Sequence, residues 1–115
     1  MNGVFMPHNI LLVEDNLIAQ HIAEFVIKSC GDCVTIAATG SEALHFAAQN
    51  NYDLIILDMG LPDIDGQTIK ETLLDRNIVT PIIGLTAHAD LNDPSIMSKP
   101  LTRELYQQML VNSKN

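Results

Sequence analysis

The chain predicts a single α/β domain: a five-stranded, mostly parallel sheet between two layers of helices, a three-layer sandwich. Short apolar runs alternate with segments whose apolar residues recur at helical spacing. No internal repeat or low-complexity linker interrupts them. The 115 residues suffice for one core but not two, so residues 1–115 are expected to form one unit with its core at about 8–112. Alternating strands and helices imply crossovers that cover both faces of a parallel sheet.

Each element has its own signal. Asn9–Val13 (NILLV) is a continuous apolar run, as a strand buried on both faces requires. Asn16 is a good N-cap for a helix over Leu17–Ser29, and Ile18, Ile22, Phe25 and Val26 fall on one expected apolar stripe. Gly31 is placed to terminate it. Cys33–Ala38 is β-branched enough for a second strand. Thr39-Gly40-Ser41 then turns the chain and caps a helix with Leu44, Ala47 and Ala48 on its buried side. Asp53–Leu57 (DLIIL) reads as a third strand, and a turn-rich Gly60–Gly66 leads into a helix from about Gln67 to Arg76, with Ile69 and Leu73 inward. Pro81–Leu85 is the fourth strand, its Pro tolerated at the start. Ser95–Ser98 is a short fifth strand, and Thr102 caps a last helix carrying Leu105, Met109 and Leu110.

Six Lys plus Arg against fourteen Asp plus Glu leave a net charge of −8, which argues against nucleic acid or an anionic membrane as partner. MNGVFMPHN lacks the basic and apolar regions of a signal peptide, and no run is long enough to span a membrane, so a cytoplasmic location is expected. Cys30-Gly-Asp-Cys33 has redox spacing, but Cys30 ends a helix, where the dipole disfavours a thiolate. Two reduced structural thiols are expected. His8, His21, His45 and His88 show no ligand-like spacing.

The polar residues at the strand ends carry the functional signal. Glu14 and Asp15 follow the first strand, Asp58 the third, Thr86 the fourth and Lys99 the fifth. In an open parallel sheet these ends face one edge, where ligands bind at the reversal of strand order. Three converging carboxylates need a cation, and hard oxygen donors suit Mg²⁺. A carboxylate there is a candidate phosphoryl acceptor, with Lys99 offsetting charge and the Thr86 hydroxyl bonding a phosphoryl oxygen.

Ile10–Asn16 (ILLVEDN), Leu54–Gly66 (LIILDMGLPDIDG), Gly84–Ala87 (GLTA) and Ser98–Pro100 (SKP) together resemble a response-regulator receiver domain over nearly the whole chain. The resemblance implies a flavodoxin-like, CheY-like sheet of order 2-1-3-4-5. It makes Asp58 the phosphoacceptor, and Glu14, Asp15, Asp58 and the Gly60 backbone carbonyl the Mg²⁺ ligands. Thr86 becomes the switch hydroxyl, Lys99 the phosphate-binding ammonium, and Pro100 the partner of an often cis peptide bond. It implies a phosphohistidine donor on a histidine kinase or histidine-phosphotransfer domain, and catalysis only of the domain's own phosphotransfer and dephosphorylation. VEDN with SKPL is more similar to receivers of hybrid histidine kinases. His88, two residues past Thr86, is placed to influence acyl-phosphate lifetime.

Two departures stand out. Receivers carry an aromatic three residues before the lysine, where this chain has Ile96. They also carry a fourth helix between threonine and fifth strand, where only the eight residues Ala87–Pro94 are available. Parallel crossovers take a dozen or more residues. Eight residues rise roughly 12 Å as helix but reach about 26 Å extended. A loop of at most one helical turn is expected, leaving part of strands four and five uncovered for a partner or a second copy of this chain. The competing reading is a phosphorylation-independent interaction or dimerisation module. A third, an aspartyl-nucleophile Mg²⁺ phosphatase of the haloacid dehalogenase type, would need D-x-D on the first strand and a larger domain.

Overall fold

A computed structural model describes residues 6–87 and 95–113. In chain order the elements are β1 (Asn9–Val13), α1 (Leu17–Ser29), β2 (Cys33–Ala37), α2 (Gly40–Gln49), β3 (Leu54–Asp58), α3 (Gly66–Asp75), β4 (Ile82–Thr86), β5 (Ile96–Ser98) and α4 (Arg103–Ser113). The strands form one parallel sheet of order β2-β1-β3-β4-β5, as expected. No described helix is long and apolar enough to cross a membrane.

Alternation along the strands builds two cores. Ile10, Leu12, Leu54, Ile56, Ile83 and Leu85 face α1 and α4, meeting Ala23, Ile27, Tyr106 and Met109. Leu11, Val13, Ile55 and Leu57 face α2 and α3, meeting Ala43, Ala47, Ile69 and Leu73. Burying one such aliphatic side chain contributes about 1.5–3 kcal/mol. β1 and β3 supply both faces, which is why their sequences are apolar without interruption.

The helix ends follow local chemistry. Asn16 Oδ1 accepts from the Ala19 N–H, Thr39 Oγ1 from Glu42 and Thr102 Oγ1 from Leu105. Gly31 takes φ 86° after α1, a left-handed conformation that glycine adopts at least cost. β3 lies one residue later than expected. Asp53 is its exposed lead-in, with its carboxylate accepting the Asn9 N–H at 2.7 Å, while Asp58 pairs with Leu85 inside the sheet. β4 is shifted in the same sense and ends on Thr86.

α1 corrects the expected stripe. The helix buries Ala23 and Ile27, with Val26 and Cys30 half-buried, while Ile18 is 72% and Phe25 73% exposed and Leu17 and Ile22 also face outward. Apolar residues occupy more than one face of LIAQHIAEFVIKS, and the small Ala23 allows the closer approach to the sheet. In α2, likewise, Ala43 and Ala47 are buried, Leu44 is partly so, and Ala48 is exposed.

β4 and β5 pair in parallel through Gly84↔Ile96, Leu85↔Met97 and Thr86↔Ser98. The loop or single turn expected over Ala87–Pro94 falls on residues 88–94, outside the described residues, as does His88. The Lys99–Pro100 peptide is cis.

Candidate functional site

From β1 the chain crosses to β2 on one side, and β3 lies on the other. The C-terminal ends of β1 and β3 therefore bound a crevice at the switch in strand order, where sheets of this type bind ligands. Glu14 and Asp15 follow β1, and Asp58 closes β3.

Glu14 is held at every polar group. Its N–H donates to the Ala37 carbonyl at 2.9 Å, which extends the β1–β2 ladder by one residue. Gln20 Nε2 donates to its carbonyl at 2.7 Å, and its Oε2 accepts the Asn16 N–H at 3.1 Å. The same turn that caps α1 thus orients the acid. Asp58, also buried, accepts the Gly60 N–H on Oδ1 at 2.9 Å.

β5 brings the cation. The Lys99 N–H donates to the Thr86 carbonyl at 2.8 Å, so the lysine emerges beside the end of β4. Its ammonium lies 2.7 Å from Glu14 Oε1 and 3.3 Å from Asp58 Oδ2. Thr86 itself is one residue past Leu85, the register partner of Asp58.

The electrostatics separate the two buried acids. Burial pushes Glu14 up, and with the Asp58 charge beside it this outweighs the Lys99 ammonium and the Asn16 N–H. Burial also opposes the charge on Asp58, but the Gly60 N–H, a bond from Glu14 and Lys99 together hold it below the ordinary carboxylate range. Lys99 loses solvation too, yet the two acids keep its proton on and raise its pKa.

One lysine does not balance three acids. Oxygens of Glu14, Asp15 and Asp58 lie within 4.8 Å of one another, Asp15 being exposed to solvent. That all-oxygen, partly open donor set fits a hard divalent cation that retains water. Of the residues expected from sequence, Glu14, Asp15, Asp58 and Lys99 meet by side chain and Thr86 lies beside them by strand register; Gly60, expected to offer its carbonyl, meets Asp58 through its N–H.

Sequence reasoning missed Gln20, whose role depends on a helix turn meeting a strand end. It also missed a mostly apolar pocket of about 150 Å³ beside the acids, between α1 and the Lys99–Leu101 segment, with Ile18, Ala19, Ile22, Leu85 and Leu101 in its walls. The available signal was the surplus of apolar residues in α1, more than one buried face can use.

The chain is similar to known proteins over most of its length. The profile of the response regulator receiver domain matches residues 10–110. The chain is 35% identical over 107 residues to the aerobic respiration control sensor protein ArcB of Escherichia coli, covering 82% of this chain and 14% of that one. It is 29% identical over 106 residues to the transcription factor SKN7 of Candida albicans, covering 84% of this chain and 19% of the other. It thus spans less than a fifth of the length of either relative. Full-length ShkA, solved in complex with AMPPNP, superposes with a TM-score of 0.84 at 29% identity, over 95% of this chain and 24% of that one. The chemotaxis response regulator CheY4 of Vibrio cholerae shares the fold, with a TM-score of 0.83 at 23% identity over 94% and 99% of the two chains.

Proposed function

Since the chain belongs to the response regulator receiver domain family, we propose that it accepts a phosphoryl group on Asp58 in a two-component phosphorelay and thereby switches protein–protein contacts. The donor is a phosphohistidine on a histidine kinase or histidine-phosphotransfer domain. The observation that carries this reading is Asp58 itself: a buried carboxylate at the end of β3, kept ionised beside Glu14, Asp15 and Lys99.

An Asp58 oxygen attacks phosphorus. The O–P bond forms as the donor's N–P bond breaks, and the electron pair returns to the imidazole, which takes up a solvent proton. The Lys99 ammonium, already between the two acids, meets a phosphoryl oxygen, and the Thr86 hydroxyl donates to another. Glu14, Asp15, Asp58 and the Gly60 carbonyl would hold Mg²⁺, which when bound offsets phosphoryl charge. Ile18 and Ile22 of α1 line the apolar pocket that adjoins Glu14 and Lys99 and suits the apolar face of a donor helix.

Incubation with a small acyl phosphate and Mg²⁺ tests the acceptor. Intact-mass measurement is expected to show one phosphoryl adduct on the wild type and none on Asp58→Asn; equal adducts on both would remove Asp58 from the role. Ile96, β-branched and stiff where an aromatic was expected, favours the second reading, an interaction module independent of phosphate. A partner that binds Asp58→Ala as tightly as wild type would establish that one instead.

A further inference from the structure

Gly66 and Gly84 are glycines without a conformational reason to be so. Among the described residues only Gly31 and Asn77 have positive φ. Gly84 lies inside β4, where glycine weakens a strand and marks close approach of another group. Gly66 is the first residue of α3.

Both leave room for one side chain. A Cβ on Gly84 would stand 2.9 Å from Met59 Cγ and Sδ, and one on Gly66 would stand 2.8 Å from Met59 Sδ and Cε. The thioether therefore lies as a bar between β4 and the start of α3. Ile96 closes its β5 side, with Cγ1 3.3 Å from the same Gly84 position. The Met59 backbone is fixed as well, its N–H donating to the Leu85 carbonyl at 3.0 Å.

Met59 separates Asp58 from Gly60. The Gly60 N–H bonds the Asp58 carboxylate, so the direction in which the chain leaves β3 sets where that donor points. We infer that Met59, seated between Gly66 and Gly84, is the positioning residue that aims the Gly60 peptide at the Asp58 carboxylate. The function proposed above enters only in making that carboxylate the phosphoryl acceptor.

The test fills the seat without touching a charged group. Ala is otherwise neutral or favourable at a glycine of ordinary φ, so the double variant Gly66→Ala/Gly84→Ala reports on crowding of Met59. Hydrogen exchange at the Gly60 amide, measured without metal, is expected to speed up about tenfold as its bond to Asp58 opens. Mg²⁺ affinity, measured by calorimetry, is expected to fall about tenfold, as when a group supporting a metal ligand is lost. Met59→Ala alone empties the seat and should loosen the same amide. Wild-type Gly60 exchange in the double variant overturns the inference. Should the double variant not fold, Met59→Ala with unaltered Gly60 exchange overturns it equally. The exchange readout needs no phosphate, so a wild type that takes no adduct at Asp58 counts against the acceptor and not against the seat.

Discussion

Asp32 carries a carboxylate into the core on the α1–α4 side of the sheet, away from the acidic crevice. It accepts the His8 N–H at 2.9 Å and the Tyr106 hydroxyl at 2.5 Å, and His8 Nδ1 lies 3.1 Å away. Burial opposes its charge, but these donors outweigh it and hold the carboxyl below its ordinary 3.8. Its stabilising contribution is therefore complete above that value and is lost as pH falls through the lowered folded pKa. Tyr106→Phe is expected to cost about 1.5–3 kcal/mol at neutral pH, as for a lost hydrogen bond to a charged group. Urea unfolding as a function of pH should show that cost shrink below the carboxylate range; a constant cost would mean that ring packing, not the charge, is responsible. Glu14 has the opposite sign. Its raised pKa means that the ionised form opposes folding at neutral pH, a cost absent below its ordinary 4.5, where both states are protonated. Glu14→Gln should therefore stabilise the metal-free protein at pH 7, with the gain reduced by Mg²⁺. Thermal melts with and without Mg²⁺ check this, and a lower midpoint without metal would contradict it.

α1 shows how an element serves two purposes. One side seals the sheet through Ala23 and Ile27; another presents Ile18 and Ile22 beside Glu14 and Lys99, with Phe25 exposed further along the helix. Because Ile18 and Phe25 are mostly exposed, truncating them should leave stability within about 0.5 kcal/mol. The loss should fall on partner recognition, where a few apolar anchors carry most of the affinity. Ile18→Ala/Phe25→Ala is expected to slow transfer from a phosphohistidine protein at least about tenfold, with labelling by a small acyl phosphate unchanged. Equal slowing with both donors would place the effect in the acceptor chemistry rather than in docking.

At the scale of the molecule, the sheet's edge and its charge act against each other. β5 is a three-residue edge strand, with Ile96 and Met97 only partly buried. An exposed edge invites pairing with another chain. Self-association through the β4–β5 region remains the proposal for this face, and the net charge of −8 opposes it. Dimer formation should accordingly strengthen with added salt, which screens like charges. Sedimentation at high protein concentration and moderate salt checks this. A monomer both with and without phosphate sinks it.

The acidic crevice was legible in the sequence because its parts are local. Glu14, Asp15, Asp58, Thr86 and Lys99 each sit at or just past the end of an apolar run, and parallel topology sends those ends to one edge. The caps at Asn16, Thr39 and Thr102 were legible for the same reason, since each bonds a backbone N–H three residues on. Asp32 and Tyr106 are 74 residues apart, and no periodicity links them. Nor does periodicity choose a buried face in α1, where more than one face is apolar. The Met59 seat depends on β4 and α3 approaching the end of β3 together. Local chemistry determined where the charged groups stand along the chain; close packing of distant segments decided which side chains are buried, which remain exposed, and what packs around Asp58.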